Sequence, residues 1–269
     1  MTRSHKDLVP DALPPIEAFV RDRLTPATAP LVIGLCGAQG SGKSTIAARL
    51  ADHIPDTVVL SLDDLYLTKA ERERLAEIVH PLLRTRGVPG THDVALGEAV
   101  LADLRAGRPV RLPRFDKAID DRAPESTWPQ VEGARLVIFE GWCVGARPQT
   151  DEALENPINA LEDDEDSDEI WRRYANGALR GYYPGLFAWD ALILLMAPSF
   201  DAVYRWRLQQ EHVLAADIAA GRRPGRAMSD DGVGRFIQFY QRLTGHILRE
   251  MPARADLVIR LDAERKVIV

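Results

Sequence analysis

Five short apolar runs punctuate the chain, at residues 31–35, 57–62, 136–139, 191–196 and 256–261. Runs of that length without polar alternation predict strands buried on both faces. Between them apolar residues recur at helical spacing, as with Ile46, Ala47 and Leu50 in the segment 44–53. The same spacing predicts helices over 69–80, 95–106, 170–179, 200–220 and 232–248, and a short one over 16–24. Each strand is separated from the next by enough chain for a crossover. The expected fold is therefore α/β, a three-layer doubly wound and mostly parallel sheet. Pro10, Pro14, Pro15 and Pro26, in a polar context, make residues 1–29 a peripheral N-terminal arm, and residues 30–269 form one domain.

Composition narrows the class without naming it. With 46% hydrophobic and 28% charged residues, the balance is that of a soluble globular chain long enough to bury a core unaided. The net charge of −6 argues against nucleic acid as the main partner, because phosphate-backbone binding wants a basic face. The longest apolar stretch, 191–197, is far shorter than the ~20 residues of a membrane span, and the start lacks the apolar core of a signal peptide. Cys36 and Cys143 sit in or beside apolar runs, as buried thiols of a reducing cytoplasm do. The expectation is a cytoplasmic protein with a small-molecule partner, of open oligomeric state. The run 162–169 is acidic except at Ser167 and reads as a solvated loop or helix entry. Tyr182, Tyr183, Trp189 and Trp171 read as core aromatics.

Chemistry enters with Gly37-Ala38-Gln39-Gly40-Ser41-Gly42-Lys43-Ser44, followed by Thr45, between the first strand and its helix. This is the P-loop pattern G-x-x-x-x-G-K-[ST], in that pattern's own structural context. Backbone N–H groups must turn inward around phosphates, so the side chains must be small and glycine must supply the unusual dihedrals. Lys43 offers a charge to the β- and γ-phosphates and Ser44 a hydroxyl to Mg²⁺, while the helix start favours an anion. Nucleotide binding through residues 37–45 follows.

Neither an N-K-x-D element nor an L-S-G-G-Q element occurs, which excludes a guanine-specific switch and a transport ATPase. Asp63 and Asp64 instead follow the second strand. Ligands of doubly wound sheets bind at the carboxyl ends of strands, so a carboxylate there can take the proton of an attacking hydroxyl; a helix cap is the plain alternative. Glu140-Gly141-Trp142 ends a third apolar strand in the form of a Walker B element, whose acid holds Mg²⁺. Asp63 is a second candidate for the metal.

Together these residues resemble the superfamily of phosphoribulokinase, uridine kinase and pantothenate kinase, and within it the glycerate 3-kinase family. The matching strings are residues 61–68 (SLDDLYLT), 86–93 (RGVPGTHD), 113–117 (PRFDK) with Asp121-Arg122, 140–145 (EGWCVG), 159–162 (NALE) and 206–211 (WRLQQE). Leu65 stands where the family often has Phe, and the glycine-rich insertion of plant relatives before Asp-Arg is absent. The resemblance implies an ATP- and Mg²⁺-dependent kinase with lid and substrate-binding insertions. Its acceptor would be D-glycerate, or else a nucleoside, a pantothenate-like compound or a sugar acid. A nucleotide-binding regulatory module is the rival from another class, and Asp63 argues against it. The resemblance further implies catalytic roles for Lys43, Asp63, Arg205 and Arg207. Acceptor-binding roles go to Asp64, Tyr66, His92, Asp93, Arg114, Asp116, Lys117 and Arg122. Arg222, Arg223 and Arg226 compete with Arg205 and Arg207 for the lid.

Overall fold

Burial on both faces explains why the strands read as unbroken apolar runs: Val32 to Gly37 and Leu136 to Gly141 are buried throughout. The computed structural model describes residues 11–222 and 225–268. The first ten residues of the expected arm and Arg223 lie outside the described residues. In chain order the elements are α1 (Leu13–Leu24), β1 (Leu31–Gly37), α2 (Lys43–His53), β2 (Thr57–Ser61), α3 (Lys69–Ile78), α4 (Val94–Arg105), β3 (Val110–Arg111), β4 (Phe115–Asp116), β5 (Asp121–Arg122), β6 (Gln130–Val131), β7 (Leu136–Gly141), α5 (Ala160–Glu165), α6 (Ile170–Gly181), α7 (Tyr183–Leu186), β8 (Ala191–Met196), α8 (Phe200–Ala219), α9 (Asp230–Glu250) and β9 (Leu257–Arg260). Their ends are set by local chemistry: Thr68 and Glu71 form a capping box on α3, and Ser199 and Ser229 cap α8 and α9.

The central sheet is parallel, in the order β2-β7-β1-β8-β9, and helices flank it. From β1 the chain crosses to β2 and leaves a slot that β7 later fills; after β7 it crosses to the other side as β8. The crevice of a doubly wound sheet opens where the winding reverses, outside the carboxyl ends of the strands. Here those ends deliver Gly37, Ser61 and Glu140, and the register sets Ser61 and Leu35 on either side of Glu140. The long excursion between β2 and β7 carries two small antiparallel ribbons, β3 with β6 and β4 with β5. Both were too short to show as apolar runs.

Within the segment expected to be a peripheral arm, α1 seals the core with Ile16 and Val20, both fully buried. The acidic run needs a correction. It forms α5 and the turn after it, and two of its acids point inward: Glu162 is 0% and Asp166 2% exposed. Arg242 meets both oxygens of Glu162, through Nε at 2.8 Å and Nη2 at 2.5 Å. Asp166 accepts Nη1 of buried Arg172 at 2.9 Å and the backbone N–H groups of Trp171 and Arg172. Like charges in a row repel only if they share a direction, and on a helix they do not. The aromatic group divides too, with Trp171 and Tyr183 buried and Tyr182 67% exposed. No helix among the described residues is long and apolar enough to cross a membrane.

Candidate active site

The turn from β1 into α2 depends on glycine. Gly40 and Gly42 have φ of 77° and 91°, in the left-handed region. A Cβ on Gly40 would lie 2.6 Å from that of Trp206 on α8. No side chain caps α2, whose Ncap is Gly42, so its first N–H groups remain open to an anion. Gln39, Gly40, Lys43 and Ser44 form one wall of a cleft of about 360 Å³. Ser41 is fully buried, and its N–H donates to the carbonyl of Ala38, which closes the turn behind the wall.

Two carboxylates face this wall in different states. Glu140 is buried at the end of β7; its Oε1 accepts the hydroxyls of Ser44 and Ser61, both at 2.9 Å, and among the described residues its Oε2 has no partner. Burial pushes its pKa up, against the opposing charge of Lys43. A buried acid with one free oxygen, already joined to the P-loop hydroxyl, fits a divalent cation that substrate phosphates help to hold. Asp63 stands in the 3₁₀ turn Leu62–Leu65 after β2. Its Oδ1 accepts the Tyr66 hydroxyl at 2.8 Å and its Oδ2 the Lys117 ammonium at 2.6 Å. Removal from water would raise its pKa. The charges of Lys117 and Lys43 and these two hydrogen bonds outweigh that and hold the carboxyl below the usual carboxylate range.

The expected acceptor residues separate into groups. Tyr66 and Lys117 line the cleft. Asp64 turns away from it, accepting Phe115 N–H at 3.0 Å and Arg114 Nη1 at 3.3 Å, and so fastens β4 to the turn that carries Asp63. Asp93 accepts the N–H of Leu96 as the cap of α4 and pairs with Arg122 at 2.9 Å; Arg122 also donates to the Tyr66 carbonyl. Asp64, Asp93, Arg114 and Arg122 are thus braces around the cleft rather than its lining. Asp116 is exposed and accepts the N–H of Ala118 within the ribbon turn. His92 lies behind Tyr66, stacked at 4.8 Å, with Nδ1 2.5 Å from the Tyr183 hydroxyl. That hydroxyl also accepts the N–H of Gly90, and among the described residues His92 Nε2 has no hydrogen-bond partner. Burial holds the His92 pKa down to about 3, against the pull of Asp63, so the ring is neutral.

Of the rival lid arginines, Arg207 lines the cleft, ion-paired to Glu211 at 2.6 Å and 5.4 Å from the Phe236 ring centroid. Arg205, expected beside it, is exposed and outside the lining, because it lies two residues away on the same helix and so cannot share its face. Arg222 pairs with Asp217, and Arg226 is exposed.

An AAA-domain family profile matches residues 32–112. Over 236 residues the chain is 37% identical to the uncharacterized kinase mug58 of Schizosaccharomyces pombe, a match that covers 82% of each chain. It is 34% identical over 271 residues to the chloroplastic D-glycerate 3-kinase of Arabidopsis thaliana, covering 89% of this chain and 54% of that one. The chain belongs to the glycerate 3-kinase-like family of P-loop kinases. A solved D-glycerate 3-kinase from Cryptococcus neoformans superposes with a TM-score of 0.79 at 26% identity, over 96% of this chain and 97% of that one.

Several residues of this kinase cleft carried no role in the sequence reading. Arg86, Trp142, Gln210, Phe236 and Tyr240 all line it. Phe236 and Tyr240, four apart on α9, look like core positions, and nothing in their spacing separates a cleft wall from a core. Arg86 had a signal, since it opens the R-G-x-P-G-T-H-D string. The loop after it is packed tightly: Trp142 Nε1 donates to the Gly87 carbonyl at 2.9 Å, and at Gly87, φ 139°, a Cβ would strike the Tyr240 hydroxyl.

Proposed function

We propose that this kinase transfers the γ-phosphoryl group of ATP to the 3-hydroxyl of D-glycerate, giving 3-phosphoglycerate and ADP. The observation that carries the reading is Asp63, an ionised carboxylate across the cleft from Lys43 and held by Tyr66 and Lys117. The glycerate 3-kinases among its relatives support the acceptor. Lys43 and the open start of α2 bind the transferring phosphates. Ser44 and Glu140 would hold Mg²⁺, and Asp63 is the further acid that lines the cleft. Once bound, that ion neutralises charge on the β- and γ-phosphates. Arg207 adds a cation from α8.

In the transfer, the acceptor oxygen forms a bond to the γ-phosphorus as the bond to the ADP oxygen breaks, and the hydroxyl proton passes to Asp63. A carboxylate held at low pKa is a weak base. It suffices where proton transfer is late, as in a loose phosphoryl-transfer transition state. The test is incubation with ATP, Mg²⁺ and a panel of hydroxy acids, nucleosides and sugars, following ADP release and product mass. A phosphorylated glycerate of the 3-isomer is expected. Turnover of a nucleoside or pantothenate with none of glycerate would overturn the reading.

A further inference from the structure

Four cations line the cleft, Lys43, Arg86, Lys117 and Arg207, against one acid, Asp63. Lys43 belongs to the phosphate wall, and Arg207 is ion-paired to Glu211 on its own helix. The other two gather around Asp63. Lys117 donates to it directly. Arg86 is joined to it through Tyr66, whose hydroxyl donates to Asp63 and whose ring centroid lies 6.0 Å from the Arg86 guanidinium. The arginines that the sequence offered for an acceptor carboxylate, Arg114 and Arg122, are spent on Asp64 and Asp93, outside the lining.

The support of Arg86 is unusually firm. Its Nη1 donates to Asp120 Oδ1, and its guanidinium lies 5.3 Å from the Phe115 centroid. Asp120, at a left-handed φ of 57°, is itself fixed by Arg72, a side chain 1% exposed whose Nη2 donates to the Asp120 carbonyl at 2.6 Å. One carboxylate therefore serves two guanidiniums, and the positive charge of Arg86 is only partly compensated. Among the described residues its Nε and Nη2 have no hydrogen-bond partner, although the fork geometry of arginine suits a planar carboxylate.

We propose that Arg86, with Lys117 as the second cation, is the subsite that reads the carboxylate of the acceptor and so restricts this kinase to short hydroxy acids. This rests on the reading of Asp63 as the group facing the acceptor hydroxyl. Asp63 and Arg86 both address Tyr66, the first at 2.8 Å from its hydroxyl and the second at 6.0 Å from its ring centroid, so the two groups border the same stretch of the cleft. A short hydroxy acid offers a hydroxyl to Asp63 and a carboxylate to Arg86 at its two ends, whereas a nucleoside has no carboxylate to offer. When the carboxylate arrives it competes with Asp63 for Lys117, so the base is freed as the acceptor is bound.

The test compares Arg86→Met and Arg86→Lys with wild type on D-glycerate and on glycerol, its neutral counterpart. Losing a charge-assisted pair should raise KM for D-glycerate about 10- to 100-fold in Arg86→Met. KM for ATP should stay within about twofold, and the turnover of glycerol, expected to be slow in wild type for want of a carboxylate, should not fall further. The preference for glycerate over glycerol should therefore collapse, which a merely structural role would not produce. Arg86→Lys, which keeps the charge and loses the fork, should fall between. Should Arg86→Met fail to fold by thermal melting and ATP binding, Arg86→Lys carries the test. Unchanged KM for glycerate in an active variant overturns the subsite while leaving the glycerate kinase reading intact. Wild type that phosphorylates only neutral alcohols overturns both.

Discussion

Arg265 donates from Nε to the carbonyl of Gly40 at 2.6 Å, so a residue four from the chain's end holds the phosphate-binding turn. Its Nη1 reaches Gln209 at 2.9 Å, and its guanidinium lies 5.1 Å from the Trp206 ring, so one side chain joins the P-loop to the helix that carries Arg207. Trp206 Nε1 returns the tie by donating to the Ala263 carbonyl at 2.7 Å. Arg265→Ala should lower kcat/KM for ATP about tenfold, the scale of one lost charge-assisted hydrogen bond, and leave KM for the acceptor unchanged. Steady-state kinetics with each substrate varied in turn check this. Equal losses for both substrates would mean that the tie only stabilises the fold.

Lys43→Ala should reduce kcat by at least about two to three orders of magnitude, the scale seen when a preorganised electrostatic contact to the reacting group is removed. The melting temperature should change little, since among the described residues Lys43 makes no hydrogen bond to another side chain. Turnover at the wild-type rate would show that the glycine turn is not the phosphate cradle.

Glu140→Gln tests the metal and carries a pH signature. The amide keeps the Ser44 and Ser61 contacts and removes the charge, so more Mg²⁺ should be needed for half-maximal rate. Burial raises the Glu140 pKa in the folded state, and a raised carboxylate favours folding below its unfolded pKa and loses that contribution as pH rises through the folded value. Without Mg²⁺ or nucleotide, the variant should therefore melt above wild type at neutral pH, with the gap closing as pH falls into the carboxylate range. An unchanged Mg²⁺ titration would move the metal to Asp63.

Asp63→Asn should lower kcat by about two to four orders of magnitude while ATP affinity, measured by titration, holds. Its folded pKa lies below the ordinary carboxylate range, so Asp63 stays ionised across any practical assay range and adds no acid limb to the rate profile. An acid limb present in wild type and lost in Asp63→Asn would contradict the assignment.

Arg242→Ala strips the partner from a fully buried Glu162 and should cost about 3–5 kcal/mol of stability in denaturant titration, with kcat unchanged in the folded fraction. Replacing both, with Glu162→Leu and Arg242→Met, should recover most of that loss. If the single variant is as stable as wild type, Glu162 is not held as a buried ion.

What the sequence determined by itself is what neighbouring residues decide. The strands at 31–37 and 136–141 need only continuous apolar side chains, and the phosphate turn needs only Gly40, Gly42, Lys43 and Ser44 at fixed spacing, because its conformation is written in local backbone sterics. For the same reason the acids at the strand ends, Asp63 and Glu140, could be aimed at one crevice before the order of the strands was known. What only the tertiary structure decided is which charge meets which. Asp64 and Asp63 are adjacent in sequence, yet one fastens a ribbon through Arg114 and Phe115 while the other holds Lys117 in the cleft. Glu162 and Asp166 belong to one acidic run but are buried on separate arginines, and Arg86 carried no more local signal than Arg114. Opposite charges find partners through contacts 50 to 80 residues apart, as Asp64 does with Arg114 and Glu162 with Arg242. A surface brace and a substrate-reading cation have the same side chain; folding alone assigns the partner that tells them apart.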